Sequence, residues 1–233
     1  MAIPWTPGSA ISMGARMHRS PEKTRSVDSQ MIVRFDSVER LVHWTNALLF
    51  MVLILTALPL YFAQVESLVG RRALIAEIHT WTGVILPLPL LIALSGSWGS
   101  GLRADIRRFN LWTKGELKWL MTAGKNPGLE MGKFNPGQKM NAIFVGSSIV
   151  VMFCTGFVLG WFNFFPLSWR TGATFVHDVF AGAIVVVIAG HIVFALANRH
   201  ALMSMISGRI SKLWASQRAP RWLAEEQAGH PEI

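Results

Sequence analysis

The sequence predicts an all-α integral membrane protein, a bundle of four transmembrane helices. Three observations carry that expectation. The apolar residues are gathered into four long blocks, the basic residues lie beside those blocks and not within them, and no segment alternates in polarity as a barrel strand would. Leu41–Ala63 and Met140–Trp169 contain no charged residue, while Ala73–Ser97 contains only Glu77 and Ala173–Ala197 only Asp178. Each block reaches the roughly 20 residues that a helix needs to cross about 30 Å of hydrocarbon. A soluble core helix rarely stays apolar on every face for so long.

The first span is placed at about 41–63, the second at 73–97, the third at 140–162 and the fourth at 173–197. Together with a cytoplasmic loop 98–139 they make one unit, 34–197, between an N-terminal tail 1–33 and a C-terminal tail 198–233. The segment Met1–Gln30 has no apolar run of signal-peptide length and contains Pro4, Pro7 and Pro21, so it reads as a tail. In the loop, Phe109, Leu111, Trp112, Leu117, Trp119, Leu120 and Met121 are interleaved with Lys114, Glu116 and Lys118. That pattern predicts a short helix lying on the membrane surface, broken afterwards by Pro127 and Gly128.

Net charge is +9, but the cations flank the spans and form no separate basic domain, so a lipid surface accounts for them and nucleic acid does not. Of the 22 lysines and arginines only Arg71, Arg72 and Arg170 fall on one side of the bundle, and the other nineteen fall on the opposite side. Positive residues favour the cytoplasm, so both termini are expected there. Trp44, Trp81, Trp98, Trp161 and Trp169 stand at span ends, where an interfacial belt or a cofactor pocket would use them. Cys154 is the only cysteine, which excludes an intrachain disulfide, a cysteine-ligated iron–sulfur cluster and a Cys-x-x-Cys-His haem attachment. A redox cofactor in this chain needs other ligands.

Four of the seven histidines supply them: His43 in the first span, His79 in the second, His177 and His191 in the fourth. His18, His200 and His230 lie in polar segments and read as surface residues. An ionisable group inside a span is functional by default, although a single one can serve as a helix–helix hydrogen-bond partner. His177 and His191 are about 21 Å apart along a helix and return to within about 40° of one face. They cannot share one metal ion, so the fourth helix offers a ligand near each membrane surface. Helix direction then pairs His43 with His191 on the cytoplasmic side and His79 with His177 on the outer side. Each pair offers two neutral imidazoles and no carboxylate, as suits the two axial positions of a haem b engaged in electron transfer. Gly83, Ala181, Gly182, Ala183 and Gly190 would admit a flat macrocycle, or simply pack helices. A histidine-lined proton pathway is the rival reading, and it does not explain two levels at matched depth.

The stretch from Arg34-Phe35 through Arg40-Leu-Val-His43-Trp44 and the segment Gly132-Lys-Phe-Asn-Pro-Gly-Gln-Lys-Met140 resemble the di-haem cytochrome b (gamma) subunits of bacterial respiratory formate dehydrogenases, as does the spacing of His177 and His191. The resemblance covers roughly 34–215. It implies two haems b as cofactors, held by His79 with His177 and by His43 with His191. It also implies a menaquinone- or ubiquinone-type site formed with Asn135, Gly137 and Gln138. Further, it implies partners: an iron–sulfur (beta) subunit and a molybdenum or tungsten catalytic (alpha) subunit outside the bacterial inner membrane. Pro136 stands where that family is expected to have a small residue, and residues through about Gln30 have no counterpart in it. Nothing in this chain could oxidise formate itself. The alternatives are the equivalent subunit of a nickel-iron hydrogenase or sulfur-compound reductase, and a stand-alone membrane oxidoreductase or transporter. Asn135 and Gln138 also fit a plain Asn-Pro-Gly turn opening the third span.

Overall fold

The computed structural model describes residues 30–122, 124 and 129–229. The tail up to residue 29, the Pro127–Gly128 break, His18 and His230 lie outside the described residues. Four helical segments are long and apolar enough to cross a membrane, and they coincide with the four apolar blocks. Helix α1 is Ser37–Tyr61, followed by a short α2, Ala63–Val69. The second span is built from α3, Arg72–Ile85, and α4, Leu88–Ser95. It is interrupted at Leu86–Pro87 because proline has no N–H to continue the ladder. Two short helices, α5 (Ser100–Asn110) and α6 (Lys114–Met121), fill the connection to α7, Pro136–Gly160. Helix α8 runs over Leu167–Ala197, and α9 (Arg199–Ser207), α10 (Lys212–Arg218) and α11 (Pro220–Ala228) complete the described chain.

Three helix starts in or near the predicted loop and tails are fixed by reciprocal caps. Asp36 accepts from the Glu39 N–H while Glu39 accepts from the Asp36 N–H. Thr113 with Glu116, and Asn135 with Gln138, repeat the arrangement. The third and fourth spans begin earlier than charge counting places them, α7 at the capped start Pro136 and α8 at Leu167, where Pro166 makes no side-chain cap. The connection between the third and fourth spans is accordingly Trp161–Pro166 and not the whole of 163–172, because Ser168, Arg170 and Thr171 continue the helix.

Helix α7 packs along α8, and α1 along α3, with α3 also touching α7. The bundle centre is an apolar cluster of Phe50, Leu86, Ile149 and Ile184, joined by Leu49, Leu53, Phe144, Val145, Met152 and Ile188. Ile184 is seven residues from both His177 and His191, so this cluster lies between the two histidine levels.

The segments read from sequence as loop and tails are folded against each other at one end of the bundle. Strand β1, Met31–Val33, pairs antiparallel with β2, Arg209–Ser211, with Ile32 opposite Ile210. Gly208, at φ 79, closes α9 in the left-handed conformation, and its carbonyl accepts from the N–H groups of Arg34 and Phe35. A Cβ there would meet the Phe35 carbonyl, so only glycine fits. Ile210, Ala215, Ala219 and Trp222 form a second core, closed by Ile32, Trp214 and Leu223.

Buried ion pairs tie this end to the spans. The Lys133 ammonium, only 5% exposed, donates to Glu39 Oε1 at 2.9 Å and to both Asp105 oxygens at 2.8 and 2.7 Å. Arg108 adds a bond to Asp105 at 2.8 Å, and Arg34 donates to the Lys133 carbonyl and to Ser204. Burial lowers the Arg34 pKa to about 10, against the opposing pull of Asp105. Lys139 joins Glu116 at 2.8 Å and the Leu111 carbonyl at 2.7 Å. Burial pushes the Glu116 carboxyl up. The hydrogen bonds from Lys139 and the Thr113 N–H, with the charges of Lys139 and Arg221, outweigh that and hold it below its ordinary value. Breaking a buried pair by deleting one partner costs about 3–5 kcal/mol. Lys133→Ala should therefore lower the thermal unfolding temperature in detergent far more than Lys114→Ala at an exposed site, and equal effects would show that the network is not structural.

Candidate functional site

Each histidine pair proposed from the sequence is brought together. The rings of His43 on α1 and His191 on α8 have centroids 6.1 Å apart, and those of His79 on α3 and His177 on α8 are 6.4 Å apart. A nitrogen about 2.0 Å from a metal puts its ring centroid roughly 3.1 Å away, so two imidazoles on opposite sides of one metal would stand roughly 6.2 Å apart. Both pairs match that spacing. Among the described residues no group of three or more His, Cys, Asp or Glu could hold a metal ion by itself. Two axial nitrogens alone suit an iron whose other four donors come from a macrocycle.

The backbone leaves room for one. Helix α8 hardly approaches α1 or α3, although it carries the partner of a histidine on each. A Cβ added to Gly182 or Gly190 would meet nothing within 4 Å, and one added to Gly156 would touch the His177 ring at 3.4 Å. His43, His79 and His177 are half-buried and His191 is exposed. The residues present therefore fit two axially ligated haems, one at each level.

Two site residues were missed from the sequence. Thr56 Oγ1 lies 2.8 Å from His79 Nδ1, and Thr155 Oγ1 lies 2.9 Å from His177 Nδ1. Each hydroxyl donates to the carbonyl four residues earlier, Val52 at 2.7 Å and Val151 at 2.8 Å. With its proton on that carbonyl, the hydroxyl oxygen is set to accept from the ring. Nδ1 then carries the histidine proton, and Nε2 is left with the lone pair that a metal needs. A threonine inside an apolar helix ordinarily bonds back to its own turn, so its sequence carries no sign of this second use. No such partner stands beside His43 or His191 among the described residues.

The Arg40-x-x-His43-Trp44 opening is explained by the same end of the fold. Arg40 donates to the Ile206 carbonyl at 2.6 Å and Trp44 Nε1 to the Met205 carbonyl at 3.2 Å. These side chains satisfy the last carbonyls of α9 and fix the start of α1, on which His43 sits. Trp44 also meets the His43 ring edge-on at 5.2 Å.

Asn135, Gly137 and Gln138 open α7. The Asn135 side-chain oxygen accepts from the Gln138 N–H at 2.9 Å, and the Gln138 oxygen accepts from the Asn135 N–H at 3.0 Å. The turn reading is therefore realised by their oxygens, while both amide NH₂ groups remain as donors. Among the described residues these three make no hydrogen bond to either histidine pair. The aromatic ring beside them is that of Trp119, 4.0 Å from where a Cβ on Gly137 would lie.

Residues 34–208 match the family of prokaryotic cytochrome b561. The chain is similar to the cytochrome b556(Fdn) subunit of the nitrate-inducible formate dehydrogenase of Escherichia coli K12, 23% identical over 209 residues, covering 84% of this chain and 92% of that one. It is 28% identical over 204 residues to the cytochrome b556(fdo) subunit of formate dehydrogenase from the same organism, covering 83% and 92%. It is 23% identical over 203 residues to the formate dehydrogenase cytochrome b556 subunit of Haemophilus influenzae, covering 84% and 83%. The chain belongs to the prokaryotic cytochrome b561 family: it is an integral inner-membrane protein of the cytochrome b class, for which the cofactor is haem b.

Outer-sphere partners of a ligating histidine are typically worth about 10–100-fold in metal affinity. Thr56→Val and Thr155→Val keep the side-chain shape and remove the acceptor. Each should speed haem transfer to added apomyoglobin by about that factor, and the serine variants should not. Unchanged transfer rates in both valine variants would show that the hydroxyls do not hold the ligands.

Proposed function

We propose that this member of the family is the membrane-anchoring, di-haem cytochrome b subunit of a formate dehydrogenase complex, which passes electrons from an iron–sulfur subunit to a quinone. The observation that carries the reading is the pair of matched imidazole spacings, 6.1 and 6.4 Å, at two levels of one bundle. His79 and His177 would hold one haem b, and His43 and His191 the other. Haem bound there would supply one-electron chemistry, and paired imidazoles holding it would favour electron transfer over oxygen chemistry. Formate as the primary donor is taken from the formate dehydrogenase subunits to which the chain is similar, and a molybdenum or tungsten alpha subunit from the resemblance carried by the sequence motifs.

The protein's own groups divide the work. The four imidazoles bind and orient. Thr56 and Thr155 keep the ring protons of His79 and His177 on Nδ1. The apolar cluster around Phe50 and Ile184 keeps water from between the levels. At the basic end, the NH₂ groups of Asn135 and Gln138 would donate to quinone carbonyl oxygens, and the open face of Gly137 would let the quinone approach the backbone. The distribution of cations supports a cytoplasmic position for that end and for both termini. Electrons would then move inward over the roughly 21 Å between levels, and quinol protons would be drawn from the cytoplasm. Such a loop charges the membrane without a proton channel, consistent with the scarcity of ionisable residues in the spans.

A pyridine haemochrome assay on the purified chain should return two haems b, with His43→Ala and His79→Ala each removing a different one. A single haem in the wild type would overturn the pairing. For the quinone, Asn135→Asp and Gln138→Glu preserve the capping oxygens of α7 and delete the amide donors. They should slow quinol formation by about ten- to a hundredfold while both haems remain reducible. Wild-type quinone kinetics in both variants would confine these residues to helix capping.

A further inference from the structure

Two of the three basic residues on the sparsely charged side precede a histidine of the same pair by seven positions, Arg72 before His79 and Arg170 before His177. Seven residues advance a helix by about 10.5 Å and return it to within about 20° of the same face. Each arginine therefore stands above its histidine, two turns nearer that surface. Arg72 is engaged: it pairs with Glu66 at 3.0 Å and donates to the Leu60 carbonyl at 3.2 Å.

Arg170 is not engaged in that way. Among the described residues its guanidinium makes no hydrogen bond or ion pair, and its Nε is buried without a partner. The acids at this level, Glu77 and Asp178, are exposed and form no ion pair with it. Arg34 and Arg108 also bury an unpaired Nε, but their Nη groups are bonded; the half-buried Arg170 guanidinium has no such bond and can take an anion on the His177 face of α8. The group that two imidazoles at this level fit is haem, which carries two carboxylates on one edge. We propose that Arg170 binds a haem carboxylate at the His79–His177 site and, by its charge, raises the reduction potential of that haem.

This rests on the reading of the His79–His177 pair as a haem site. The charge acts on the added electron: with the cation gone, the reduced form is less favoured and the potential falls. The test is a potentiometric titration of the full chain that follows both haems optically, for wild type, Arg170→Gln and Arg170→Lys. The outer haem is identified as the one lost in His177→Ala. In Arg170→Gln its one-electron reduction constant should fall about tenfold, equivalent to about 59 mV, while the other haem keeps its potential. Arg170→Lys should recover most of the difference. Wild-type potentials in Arg170→Gln, or equal shifts at both haems, would overturn the assignment and leave Arg170 to a lipid phosphate or a neighbouring chain. A wild-type protein with no haem dependent on His177 would instead overturn the haem reading itself.

Discussion

The bundle is organised by one constraint: paired neutral imidazoles must face each other about 6 Å apart in hydrocarbon, at two depths, without helices collapsing onto them. Helix α8 meets it by contributing one histidine to each pair, and every other span is positioned relative to that helix. Helix α7 packs closely along α8 and brings Thr155 and Gly156 to His177. Helices α1 and α3 pack on each other and stand back from α8, so that His43 and His79 reach across an opening. The Phe50, Leu86, Ile149 and Ile184 cluster then fills the centre. It keeps the levels apart with side chains that have no polar atom to satisfy, which is the cheapest filling available in a membrane interior.

Membrane packing alone cannot fix such an arrangement, because lipid tails solvate apolar side chains as well as neighbouring helices do. The charged end supplies the missing restraint. Lys133 bonds Glu39 at the start of α1 and Asp105 in α5, while Lys139 at the start of α7 bonds Glu116 in α6. Arg34, Arg40 and Trp44 hold α1 to α9, which follows α8 directly. The cytochrome half of the chain therefore depends on polar groups that lie outside the hydrocarbon. They set the spacing of α1 against α8, where the His43–His191 pair has no hydroxyl partner of its own among the described residues. Strand pairing between Met31–Val33 and Arg209–Ser211 closes the same end by backbone bonds.

The long-range design was legible because it is written in residue types that membranes make expensive. Four histidines in apolar blocks with at most one charged residue each, two of them fourteen residues apart on one helix, led to the pairing that the rings adopt. Helix limits were less legible, since charge counting sees where hydrocarbon ends and not where the cap at Asn135 or the turn after Pro166 starts the helix. The break at Pro87 lay inside an unbroken apolar run and left no mark on hydropathy. The loop was legible as a short surface helix, but the folding of loop and tails against each other was not, because their contacts join residues 94 or 170 positions apart, as Lys133 with Glu39 and Arg34 with Ser204 do. No periodicity reports such partners. Thr56 and Thr155 were invisible for a different reason: threonine is ordinary in membrane helices, and only the tertiary fold sets those hydroxyls beside a ring.

That choice of threonine has its own logic. Ligating histidines commonly give their free N–H to a carboxylate, which makes the ring more basic and brings a negative charge. In a span, a carboxylate would need a partner of its own and would oppose the arrival of an electron. A hydroxyl already donating to its own helix, as Thr56 does to Val52 and Thr155 to Val151, is neutral and is fixed as an acceptor. It orients the imidazole and holds one tautomer while adding no charge to the site. With a neutral ligand shell, the potential of a haem held there would be left to cations toward the helix ends, the role proposed above for Arg170 on α8. On that reading ligand geometry and electrostatic tuning would fall to different residues, so either could vary without disturbing the other.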